Sequence, residues 1–87
     1  MRRSERPRRK ARPVTKTDAA KLRRILESEK TPAAATERLK EWAKQRRGLS
    51  PKVRQVIMAL DKQLPAEVLW AKIEVVLDMI EAEAEED

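Results

Sequence analysis

From residue 17 onward, apolar residues recur at helical spacing in four stretches, each closed by a stop signal and reopened by a cap. Leu22, Ile25 and Leu26 form a narrow stripe that predicts a first helix over 18–29. Thr17 is placed to cap it, and Asp18 suits the positive end of a helix dipole. Lys30, Thr31 and Pro32 end that stretch and start another. Thr31 is a good cap, and Pro32 fits a first helical position, where its missing amide costs little. The second helix is predicted over 32–47, with Ala35, Leu39, Trp42 and Ala43 on one face. Glu37 with Lys40, and Glu41 with Lys44, are spaced to pair on its wet side. Gly48 supplies the residue that tolerates a left-handed turn.

Ser50 and Pro51 repeat the cap-then-proline signal for a third helix. Its core face gathers Val53, Val56, Ile57, Leu60 and Leu64, and its other side carries Lys52, Arg54, Gln55, Met58 and Lys62. A fourth helix is predicted over 65–83, with two apolar stripes. Leu69, Trp70, Ile73, Val76, Leu77 and Ile80 make the first; Val68, Val75, Met79 and Ala82 make the second, almost opposite. Glu67, Glu74, Asp78 and Glu81 fill one arc between the stripes, and Lys72 with Glu83 the other. A helix apolar on two sides is buried on two sides. No strand-like alternation occurs, so the expected fold is all-α: a small bundle of about four helices.

Residues 1–16 read differently. Eight basic side chains stand there against Glu5 alone, and Pro7 and Pro13 disfavour helix. Such a segment cannot bury enough surface to offset its own ordering, so a disordered or extended Arg-rich arm is expected. Residues 61–87 reverse the balance, with two basic against nine acidic residues. The net charge of +6 therefore averages a basic end and an acidic end. The expected organisation is an arm (1–16), a helical domain (17–82) and an acidic tail (83–87) that frays.

Composition removes most chemistry. With no cysteine and no histidine there is no thiolate zinc site, no disulfide and no imidazole base. A single glycine leaves no phosphate-cradling loop. No enzyme activity and no cofactor are expected. No apolar run approaches the roughly 20 residues of a membrane span, and no apolar segment follows the basic N-terminus, so no membrane or secretory role is expected. A cytoplasmic or nucleoid-associated protein fits, or a nuclear one in a eukaryote.

Four features carry candidate chemistry. Arg2, Arg3, Arg6, Arg8, Arg9, Lys10 and Arg12 crowd into eleven positions, and the arginine fork matches phosphate oxygens. Such an arm can follow a nucleic-acid backbone, ordering as it binds; an acidic protein surface or a solubilising role are the plainer readings. Residues 39–57, from Leu39 through Gly48 and Ser50 to Ile57, resemble the general helix-turn-helix pattern over about a fifth of the chain. The spacing from Ala43 to Gly48 is one residue longer than usual for that motif. The resemblance implies that the third helix reads a groove with Lys52, Arg54, Gln55 and Lys62; an ordinary helical hairpin with a basic wet face is the alternative. The second stripe of the fourth helix is a seam for another helix, or else it is covered within a monomer. The acidic cluster Glu74, Asp78, Glu81, Glu83, Glu85, Glu86 and Asp87 reads as a solvated face, as a repulsive patch, or as an internal counter-site for the arm.

These features together predict a non-enzymatic nucleic-acid-binding protein, with DNA favoured over RNA. Self-association, or docking on a larger protein, is expected through Val68, Val75, Met79 and Ala82. The alternatives are a ribonucleoprotein subunit whose arm threads RNA, and an interaction or inhibitor module that docks through the fourth helix.

Overall fold

Each start signal in the sequence has a backbone consequence. A computed structural model describes residues 13–86 and folds them into four helices: α1 (Lys16–Glu27), α2 (Pro32–Gln45), α3 (Pro51–Met58) and α4 (Ala66–Glu83). The Thr31 hydroxyl accepts from the Ala34 amide at 3.2 Å, and the Ser50 hydroxyl from the Val53 amide at 3.2 Å. Pro32 and Pro51 follow as first helical residues, so both caps work as the sequence implies. The first helix starts earlier than expected. Its cap is Thr15, not Thr17: Thr15 Oγ1 accepts from the Asp18 amide while Asp18 accepts from the Thr15 amide, each at 3.2 Å. The reciprocal pair satisfies two amides at once, which a cap at Thr17 would not.

The described residues form an all-α fold with one hydrophobic core. Leu22 and Leu26 of α1, Leu39 of α2, Val53 and Ile57 of α3, and Leu69, Ile73, Val76, Leu77 and Ile80 of α4 fill it. The first stripe of α4 thus faces inward as expected, with Trp70 at its margin. Ile25 does not join Leu22 and Leu26. It is 40% exposed, and Ala19 takes the inward place, because the line of α1 that packs on α2 and α4 runs through residues 19, 22 and 26.

Both ends of the described chain are tied into the bundle. Val14, expected in the arm, is buried. The Glu85 amide donates to Val14 O at 2.9 Å, and the Lys16 amide to Glu85 O at 2.9 Å. Glu85 is therefore held by backbone pairing rather than frayed.

The second helix ends at Gln45, two residues short of the expected limit, and α3 is only two turns long. Leu60 and Leu64 reach the core from the connection after α3, not from the helix itself. That connection runs back along α2: the Lys40 ammonium donates to Leu60 O at 2.8 Å, and Lys62 pairs with Glu37. Glu37 thus pairs across the hairpin instead of with Lys40, whereas Glu41 and Lys44 pair as spaced, at 3.6 Å.

Candidate nucleic-acid interface

The seven cations of the arm, Arg2 to Arg12, lie outside the described residues, as does Asp87 of the acidic end. Their point of attachment is defined. Pro13 and Val14 share a small cleft of about 70 Å³ with Gly48, Leu49 and Ser50 of the α2–α3 turn, and with Glu83 and Glu85. The first described residue, Pro13, therefore lies beside the start of α3.

The helix-turn-helix stretch keeps its capped second helix and its inward Val53 and Ile57. Val56 is half-buried against the core. The proposed reading face is narrower than the sequence implies. Arg54 turns inward: its guanidinium donates to Ala43 O at 2.6 Å and to Arg46 O at 2.5 Å. Ala43 O also accepts from the Arg46 amide and Arg46 O from the Leu49 amide, each at 3.2 Å, so the guanidinium adds a second donor to each and places a cation at the negative end of α2. Lys62 lies beyond α3 and holds Glu37, whose carboxyl is pulled below its ordinary range by that contact. Arg54 is thus engaged at the end of α2, and Lys62 in a surface ion pair. Lys52 and Gln55 remain exposed on α3 one turn apart, with Met58 a further turn on.

Arg47, not singled out by its pattern, adds an exposed cation in the turn next to Gly48. Its neighbour Arg46 is occupied: its guanidinium lies 5.4 Å from the Trp42 ring centre and 3.9 Å from Asp18. Trp42 and Trp70 are both half-buried against the core, so neither offers a free stacking platform.

The acidic arc of α4 has a partner the sequence did not reveal. Arg23 of α1 donates from Nε to Glu81 at 2.9 Å, and from its terminal nitrogens to Glu74 at 3.1 Å and Asp78 at 3.3 Å. Glu27 stands 3.9 Å away on the same helix. The hydrogen bonds that Arg23 donates to Glu81 and Glu74 push its pKa further up, and the bond to Glu81 holds that carboxyl below its ordinary value. Lys16 Nζ also donates to Glu81 O at 3.3 Å, placing a second cation at the negative end of α4. These three carboxylates fasten α1 to α4. Glu83, Glu85 and Glu86 stay exposed, with no side-chain ion pair among the described residues.

The second stripe of α4 is not covered by α1 or α2. Val68 is 43% and Val75 55% exposed, and Ala82 is exposed. Met79 is half-buried and touches the core. No helix of the described residues is long and apolar enough to cross a membrane.

Comparison with known proteins finds no family model, no curated protein and no solved structure that matches the chain.

Proposed function

We propose that this protein binds nucleic acid without catalysis, with the arm as its phosphate anchor and duplex DNA as its ligand. One observation carries the reading: the whole charge excess belongs to the arm. Residues 13–86 hold fourteen basic and thirteen acidic side chains, close to balance. Residues 1–12 hold seven basic side chains against Glu5, which equals the net +6 of the chain. The bundle does not offer its full acidic arc to neutralise that charge, because Arg23 already occupies Glu74, Asp78 and Glu81. The first described residues, Pro13 and Val14, lie beside Gly48, Leu49 and Ser50, in the turn between exposed Arg47 and the exposed Lys52 and Gln55 of α3, which supply donors suited to phosphate and base edges. Duplex is favoured over single strands because no exposed aromatic is available for stacking.

Mobility shifts of the full chain and of a chain lacking residues 2–12, against duplex DNA and structured RNA, test this. The full chain is expected to shift duplex. The truncated chain should keep its helical signal, bind at least about tenfold more weakly, and show a shallower salt dependence. Equal binding by both chains overturns the anchor role of the arm. A preference for structured RNA at matched salt makes the ligand RNA.

A further inference from the structure

An apolar face and three charges of α4 without an ion pair among the described residues, Glu67, Lys72 and Glu83, remain after the bundle is assembled. We propose that α4 pairs with α4 of a second copy of the chain, antiparallel and symmetric about Val75. The apolar residues are arranged for that symmetry. Val68 and Ala82 stand seven residues to either side of Val75, and Ala71 and Met79 stand four to either side. In the antiparallel pair Val68 meets Ala82 of the second copy, Ala71 meets Met79, and Val75 meets itself. The face is uncovered, with Val75 55% exposed. It continues into a groove of about 320 Å³ that Val75 and Lys72 share with Val56 and Leu64.

Charge selects a second copy over a foreign helix. Lys72 is the one cation of α4, and Glu83 is the carboxylate on the same flank. Both are exposed, and neither forms an ion pair among the described residues. A two-fold axis that makes two helices antiparallel brings each flank against its own copy. With Val75 at the centre, Lys72 and Glu83 of the second copy lie five residues apart along the axis, about 7.5 Å. Helical side chains lean toward their own N-terminus. In antiparallel helices those two therefore lean toward each other and close the gap, twice by symmetry. The opposite flank carries Glu67, Glu74 and Asp78, and Arg23 already meets the charge of the last two. An acidic foreign helix would satisfy Lys72 and oppose Glu83, and a basic one the reverse; a second copy satisfies both.

Sedimentation of the full chain without nucleic acid tests the pairing independently of any ligand. The parent is expected to be a dimer. K72E and E83K each set like charges against each other and should weaken the dimer about tenfold. The double variant K72E/E83K restores opposite charges and should recover the parent affinity. Val75→Glu should give a monomer with its helical circular dichroism intact. A parent that stays monomeric at the highest attainable concentration overturns the proposal. So does a double variant that dimerises no better than either single one, since only reciprocal contact between copies predicts the rescue.

Discussion

At the scale of the residue, a guanidinium at the margin of the core joins two helices through three carboxylates. Each of these pairs is partly solvated and would contribute little alone. Gathered on Arg23 they fix the register of α1 on α4. Arg23→Ala should cost on the order of 1 kcal/mol in denaturant melts at low salt, and less as salt is raised. The pH dependence has a definite sign. Glu81 is depressed in the folded state from an ordinary value of 4.5. Its contribution is complete above that value and fades as pH falls through the lower folded pKa. Melts of the parent and of Arg23→Ala should therefore converge on acidification. A second residue stands out in α2. The Thr36 hydroxyl is buried without a hydrogen-bond partner. Thr36→Val keeps shape and branching, removes the unsatisfied oxygen, and should raise stability by about 1 kcal/mol. Unchanged or lower melting would show that the hydroxyl has a partner after all.

At the scale of the element, the α2–α3 turn is held by a side chain that its sequence context marks as a reader. Arg54 faces the end of α2 and donates to the Ala43 and Arg46 carbonyls. Arg54→Ala should lower stability by about 1–2 kcal/mol, because charged donors to part-buried carbonyls are worth more than neutral ones. Lys52→Ala, on the exposed face two residues earlier, should leave the melt within about 0.5 kcal/mol and weaken duplex binding. The reverse pattern, a stable Arg54→Ala and a destabilised Lys52→Ala, would contradict the orientation of α3. Burial separates two adjacent residues of α1 in the same way. Leu26→Ala should cost about 3 kcal/mol and Ile25→Ala less than about 1, since only Leu26 leaves a cavity.

At the scale of the whole molecule, a near-neutral bundle carries a strongly basic arm. That division implies that affinity and stability are separable. Removing residues 2–12 should not move the melting temperature, because it leaves buried Val14 and its backbone bond to Glu85 in place. On duplex DNA the slope of log affinity against log salt should become shallower by about 0.9 for each phosphate that the arm neutralises in the full chain. A lowered melting temperature would instead assign the arm a packing role.

The sequence by itself determined the number and order of the helices. Thr31 with Pro32, and Ser50 with Pro51, act within a few residues, so local signals suffice to place those starts. The inward face of α4 was legible for the same reason: periodicity over five turns outweighs any single position. Only the tertiary structure decided what depends on distant neighbours. Thr15 caps α1, and Val14 is buried, because the chain around Glu85 returns from the far end of the bundle sequence to pair beside them. Ile25 faces water because the rest of the bundle covers a line along Ala19, Leu22 and Leu26 instead. Arg23, Arg54 and Lys62 look alike in sequence as exposed cations. Their roles follow from which carbonyls and carboxylates other elements bring within reach, and no local pattern encodes that.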